Sequence, residues 1–299
     1  MFGNYFAANG CEEVSLYKKN NSLMTIIKRI DTRLHFLPKT YWINKRLYQS
    51  CKECDDVVIV FDFFNTNYSL FHTILKEVRA KRKIIYLWNT INAPLKDIPE
   101  DWEIWTFDIG NAERFGYKYG GTFYPIEESC VGQDANQIKF DVFFAGLDKG
   151  RRQIIELLEC EFDNLGITYR MDLMSRKITQ LLFDRYVMYK PYWKIIRCIK
   201  SSKAILDITK EGQKGLTLRV VESLCFRKKL ITNNSDIVKY KFYNPSNVFV
   251  LGTDDLSKLP SFLCKPYVPV DFDIKEYSIS RWLDRIMNNE QFYYEQSCL

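Results

Sequence analysis

Two patterns of apolar residues alternate along the chain. Short, almost purely apolar runs mark strands buried on both faces of a parallel sheet. Longer segments with apolar residues every three or four positions mark the helices that cover it. Val57–Phe61, Lys83–Trp88 and Glu103–Phe107 read as three such strands, with a helix over 70–80 between the first two. Each run ends in polar residues: Asp62–Thr66, Asn89–Asn92 and Asp108. From Phe140 the same grammar restarts, with a strand over Phe140–Ala145, a loop over Gly146–Arg152 and a helix over 152–165 that stops at Gly166. Ile167–Met171 is the next strand, and the aromatic, basic stretch Tyr186–Lys200 reads as a loop and a helix. The most informative unit follows: strand Ala204–Ile208, polar loop Thr209–Gly215, helix Leu216–Cys225 and strand Lys229–Thr232, ending at Asn233 and Asn234. Val248–Gly252 gives one more strand, Pro260–Pro269 reads as a connection, and Tyr277–Asn289 as a final amphipathic helix.

Repeated strand–helix units predict an α/β protein with two doubly wound parallel sheets. At 299 residues, two domains of ordinary size are expected. The polar stretch around 127–137 lacks periodicity and suits a linker. The expected divisions are therefore a first domain over 1–127, a linker over 128–139, a second domain over 140–270 and a C-terminal helical segment over 271–299.

Composition narrows the class. Hydrophobic content of 46% is that of a folded chain, and a net charge of +6 is too small to imply nucleic acid by itself. No apolar run approaches the roughly 18 residues a membrane span needs, and no signal-peptide pattern opens the chain, so a cytoplasmic location is expected. Cysteines such as Cys160, Cys198 and Cys225 fall within apolar helical patterns and are expected to be small buried hydrophobes. Cys51 and Cys54 have metal-ligand spacing, but no second pair follows and His35 and His72 are the only histidines, so no metal site is expected. The basic, aromatic stretch 23–46 has two readings, a solvated helix face or a face that meets anionic headgroups with Tyr41 and Trp42 at the interface.

Two loops in the second half have the chemistry to hold a diphosphate. In Gly146–Arg152, glycines let the backbone approach closely, while Lys149, Arg151 and Arg152 supply charge. In the second loop, Gly215, Leu216 and Thr217 open a helix whose free N–H groups face an anion, with Arg219 as a further cation. Glu222 lies about one and a half turns into that helix, within reach of ribose hydroxyls rather than of the phosphates. The alternative for Glu222 is a surface residue beside Arg219 and Arg227.

The segments FDVFFAGLDKGRR (Phe140–Arg152), SSKAILDITKEGQKGLTLRVVESL (Ser201–Leu224) and KKLITNN (Lys228–Asn234) resemble those of GT-B glycosyltransferases of bacterial capsule and lipopolysaccharide assembly. Trp102–Pro125 and Lys241–Gly252 match in character. The resemblance implies two Rossmann-like domains facing a cleft, with a C-terminal helix that crosses back to the first. It implies a nucleotide-sugar donor held by the second domain and a lipid-linked or polysaccharide acceptor held by the first. On that resemblance the diphosphate falls to Lys149 and Arg151, the ribose to Glu222 and the donor sugar to Glu211. The spacing from Glu211 to Glu222 is longer than the family's usual motif, and no first strand and glycine turn open the chain as the family pattern has it. No metal or cofactor is implied, since side chains and a helix dipole would neutralise the diphosphate; the location expected is the cytoplasm or the inner face of the plasma membrane.

Sugar transfer also calls for a base if the enzyme inverts configuration. Asp62 and Asp108, at strand ends of the first domain, are the candidates, with His72 behind them; each aspartate has a plain alternative as a helix cap. Two other functions compete. One is transfer of a polyol phosphate from a cytidine nucleotide. The other is a non-enzymatic basic binding protein using 23–48 and 186–200, although no nucleic-acid partner is expected.

Overall fold

The computed structural model describes residues 54–61, 68–126, 137–174 and 191–292, with the single positions 37, 41 and 44. Asp62, all but three positions of the basic stretch 23–46, and most of the expected linker lie outside the described residues. Among the described residues the chain divides into two compact units, one ending at Gly120 and the other beginning at Gly121.

In the first unit, β1 (Asp56–Phe61), β2 (Arg82–Leu87), β3 (Trp102–Thr106) and β4 (Lys118–Tyr119) form one parallel sheet in that order. The helices α1 (Tyr68–Glu77) and α2 (Ile109–Phe115) connect them. The apolar runs end up where their composition requires. Ile59 pairs with Ile85 across the sheet, and both pack with Phe71, Ile74 and Leu75 of α1 and with Trp102. The Trp102 indole N–H meets the Leu75 carbonyl at 3.3 Å, so burying this large ring leaves no donor orphaned. Cys54 packs against the same core as a small hydrophobe.

In the second unit, β5 (Phe140–Leu147), β6 (Tyr169–Met174), β7 (Ser202–Asp207), β8 (Lys229–Thr232) and β9 (Val248–Val250) pair in the order β6-β5-β7-β8-β9, all parallel. The order runs one way from β5 to β6 and the other way from β7 onward. This is the doubly wound arrangement expected, and it leaves a crevice at the carboxyl ends of β5 and β7, where ligands bind in such sheets. The helices α3 (Arg152–Asn164), α4 (Tyr192–Lys200) and α5 (Leu218–Cys225) cover the sheet. Ile155, Leu158 and Phe162 are the stripe by which α3 packs on Val142, Phe144 and Leu206.

Three expectations need correction. The connection over Pro260–Pro269 contains a helix, α6 (Leu259–Cys264), because Pro260 stands in its first turn, where a missing N–H costs nothing. Cys160 is exposed, since it lies on the side of α3 opposite the 155–158–162 stripe; Cys198 is half-buried and only Cys225 is fully enclosed. The helix read from Leu216 begins at Leu218, with Thr217 as its cap.

The C-terminal helix α7 (Ile279–Met287) buries Ile279, Trp282 and Ile286. Within this unit Trp282 meets Phe123 with ring centroids 4.2 Å apart, and the Tyr124 amide donates to the Tyr277 carbonyl at 2.7 Å. The strap Gly121–Tyr124 is thus fastened to the C-terminal segment.

Candidate functional site

The carboxyl ends of β5, β7 and β8 carry a polar cluster on an otherwise apolar sheet. After β5 the chain turns through Lys149 and Gly150, both with positive φ (42° and 86°). The turn is closed by the Arg151 amide donating to the Asp148 carbonyl at 2.7 Å. The Asp148 carboxylate accepts the Arg152 amide and the Arg152 Nε, each at 3.1 Å, so it satisfies the first amide of α3 and engages the Arg152 side chain. Arg152 is therefore committed to Asp148, with Glu156 3.7 Å away on the other side. Lys149 stays exposed at the tip of the turn.

Arg151 turns the other way, back over the strand end. Its Nη1 lies 3.2 Å from where a β-carbon on Gly146 would stand, so glycine lets the guanidinium pass closely over the strand end. Its Nε is buried with no hydrogen-bond partner. Burial pushes the guanidinium below its ordinary range, opposed first by the Asp207 carboxylate and reinforced by the positive charge of Arg219.

From β7, Asp207 sits at the strand's last position and is 2% exposed. It accepts the Thr217 hydroxyl at 2.7 Å and the Thr232 hydroxyl at 3.2 Å, which ties β7 to the start of α5 and the end of β8. The Thr217 oxygen in turn accepts the Arg219 amide at 3.1 Å, satisfying one of the helix's first-turn donors. Beyond Asp207, the Thr209 amide and hydroxyl both donate to Asn233 Oδ1, at 2.8 and 2.9 Å, so the two strand ends are bridged. Gly215 and Leu216 are buried just ahead of α5, and the Gly215 carbonyl accepts the Gln213 side-chain amide at 3.0 Å.

Glu222 is wholly enclosed, at 0% exposure. One carboxylate oxygen accepts the Tyr192 hydroxyl at 2.7 Å and the other is paired with Arg219. Burial raises the pKa of its carboxyl and so disfavours the charge, opposed first by Arg219 and then by Tyr192, while nearby Asp207 adds repulsion. Asp207 is raised by burial as well, against the pull of Thr217 and Arg151. Two enclosed carboxylates and two arginines thus balance one another at the sheet's switch point. A buried ion pair is costly unless further hydrogen bonds satisfy its remaining atoms, as Tyr192 does for Glu222 and as nothing does for the Arg151 Nε.

The structure therefore brings together Arg151, Thr217, Arg219 and Glu222, from loops more than sixty residues apart. The surface alternative for Glu222 does not hold, because the residue is enclosed, and Arg227 stands apart as an exposed residue past the helix end. Glu211 lies exposed in the turn Lys210–Gln213, at the rim of the same loop. Asp207, Tyr192, Tyr124 and Asn233 were not singled out as site residues from sequence. Only Asp207 carries a local signal, an acid interrupting the buried run Ala204–Ile208.

In the first unit, Asp108 is fully buried and caps α2, accepting the Asn111 amide at 2.8 Å. Asn111 in turn holds Ile91 through both amide atoms, at 2.9 and 3.0 Å. His72 is half-buried on α1, edge-on to Phe71. Among the described residues no group of three or more His, Cys, Asp or Glu side chains could hold a metal ion, and no helix is long and apolar enough to cross a membrane.

The sequence matches no family model and no curated protein. Among solved structures it is similar to AviGT4, a glycosyltransferase involved in avilamycin A biosynthesis, at 12% identity and a TM-score of 0.46 over 74% of this chain and 76% of that one. It is also similar to the apo form of the lipopolysaccharide outer core galactosyltransferase WaaB, at 13% identity and a TM-score of 0.44 over 90% of this chain and 81% of that one.

Proposed function

We propose that the second unit binds the diphosphate of a nucleotide-sugar donor at the carboxyl ends of β5 and β7, and that the protein transfers the sugar to a glycan acceptor. The observation that carries this reading is Arg151, whose buried Nε lacks a partner while a second guanidinium, Arg219, stands close enough to repel it. Two cations in one crevice, one with an unanswered donor, suit an anion with several oxygens. Lys149 at the turn and the capped start of α5 add charge and dipole on either side.

Chemically, a clamp of this kind stabilises the leaving diphosphate as the glycosidic bond to it breaks. Fixed guanidinium and ammonium groups can do so without a metal. Glu222 serves the ribose, and Glu211, exposed at the rim, is the candidate for the sugar. The base for an inverting reaction falls to the first unit, to Asp62 before Asp108, since Asp108 already spends an oxygen on the Asn111 amide. In this reading the acceptor is lipid-linked or a polysaccharide, and the setting is assembly of a cell-surface glycan by a cytoplasmic or peripherally bound enzyme.

Calorimetric titration with UDP, GDP, ADP and CDP tests the reading. At least one should bind with a dissociation constant below about 1 mM, and Lys149→Ala should weaken it about fivefold without shifting the melting temperature. If none of the four binds at millimolar concentration, the proposal fails.

A further inference from the structure

Glu222 is held from two sides by groups of different character. On one side is Arg219, three residues earlier on the same helix, with a side chain 16% exposed. On the other is Tyr192, from the first turn of α4, whose hydroxyl donates to Oε1 at 2.7 Å. A tyrosine hydroxyl has one proton, and that of Tyr192 is spent on Glu222. The contact between the Tyr124 and Tyr192 hydroxyls is therefore a donation from Tyr124 to Tyr192. The order of donors is Tyr124 to Tyr192 to Glu222, a chain in which each bond strengthens the next.

The far end of this chain is fixed. Tyr124 is 1% exposed, its rings meet those of Tyr192 edge-on with centroids 6.5 Å apart, and its amide is bonded to Tyr277. The near end is not, because Arg219 reaches the surface and stands beside Arg151 at the crevice. A diphosphate bound in the crevice would draw Arg219 toward itself and uncover Oε2 of Glu222. Without a second holder, the carboxylate would then be enclosed, beside Asp207, with nothing to answer its charge, and would turn away or take a proton.

We propose that Tyr192, backed by Tyr124, is the positioning residue for Glu222: it holds Oε1 when Arg219 leaves, so that Oε2 faces the crevice and accepts a ribose hydroxyl. The proposal rests on the donor-nucleotide reading above. The tyrosines touch no nucleotide; they act through the carboxylate. Among the described residues, the charged and titratable groups that act on Glu222 are Arg219 on its own helix, Asp207 at the end of β7 and Tyr192 on α4. Of these, only Tyr192 is anchored away from the crevice, through Tyr124.

The test is calorimetry on the wild type, Tyr192→Phe and Tyr124→Phe, with three probes: the best-binding ribonucleoside diphosphate of the four above, its 2′,3′-dideoxy counterpart, and inorganic pyrophosphate. The wild type should prefer the ribonucleotide about tenfold over the dideoxy form, as expected of a hydrogen bond to a charged acceptor. In Tyr192→Phe that preference should shrink to about twofold while pyrophosphate affinity stays the same, and Tyr124→Phe should fall between. A Tyr192→Phe protein that keeps the full preference overturns the proposal, as does one that loses pyrophosphate affinity in equal proportion. If Tyr192→Phe does not fold, Tyr124→Phe decides: a reduced ribose preference supports the chain and an unchanged one overturns it. A wild type that binds nucleotide with no ribose preference overturns this proposal and leaves the diphosphate clamp standing. A wild type that binds none of the nucleotides removes both.

Discussion

The Thr217 hydroxyl lies 2.7 Å from the Asp207 carboxylate, and the same oxygen accepts the Arg219 amide at 3.1 Å. One small side chain thereby closes the start of α5 and fastens that helix to the end of β7.

Thr217→Val keeps the shape of the side chain and deletes both bonds, leaving Asp207 enclosed with one hydroxyl partner fewer. Losing a helix cap and a hydrogen bond to a buried carboxyl should cost about 2 kcal/mol. Thr217→Ser retains the oxygen and should stay within about 0.5 kcal/mol of the wild type. Denaturant midpoints at unchanged slope measure both; equal stability of the two variants would show that the hydroxyl contributes nothing.

Gly146→Ala tests the path of Arg151. The added β-carbon would lie 3.0 Å from Cζ of Phe144, itself buried, and 3.2 Å from Arg151 Nη1. The backbone there is not in the left-handed region, so the effect is contact, not strain. Pushing the guanidinium aside should lower nucleoside diphosphate affinity about tenfold, while overpacking costs about 1 kcal/mol of stability. Calorimetry and thermal melting read the two separately.

In the first unit, Glu103 accepts the Arg82 guanidinium through both oxygens, at 2.6 and 3.0 Å, the Lys118 ammonium at 3.0 Å and the Trp105 indole N–H at 3.1 Å. The Arg82 bonds, foremost, hold its pKa down to about 2, from an ordinary value of 4.5. A carboxyl lowered by folding contributes stability above its unfolded value, so this contribution is complete above pH 4.5 and is lost as pH falls toward 2. Partial exposure screens it, which leaves an expected contribution on the order of 1 kcal/mol. Asp207 and Glu222, raised by burial, work in the other sense: what they contribute is present at low pH and declines as pH rises past their unfolded values. The stability difference between wild type and Glu103→Gln isolates the first effect. It should vanish between pH 4.5 and 2; a difference that does not change with pH would show that Glu103 is not the titrating group.

Strands were the most legible part of this chain. A parallel strand covered on both faces must be apolar along its length, and that requirement is written locally. Lys229–Thr232 was read with the ends the structure shows, and β1, β2, β3, β5 and β7 within one or two residues at most ends. Elements held by their surroundings were not legible. β4 has two residues and exists because β3 offers it an edge, and α2 is a short helix whose cap, Asp108, was noted without the helix.

The same division runs through the candidate site. That loops rich in glycine and cationic residues follow two buried strands of the second unit can be read from the residues alone, because each loop is continuous in the chain. That β5 and β7 are neighbours at the point where the sheet reverses is visible in the folded chain alone, and it sets Arg151 beside Asp207 and Arg219. The fold alone enclosed Glu222 and supplied Tyr192 from thirty residues away. No periodicity relates such partners. They meet because a carboxylate cut off from water is tolerated only where the fold brings donors to it.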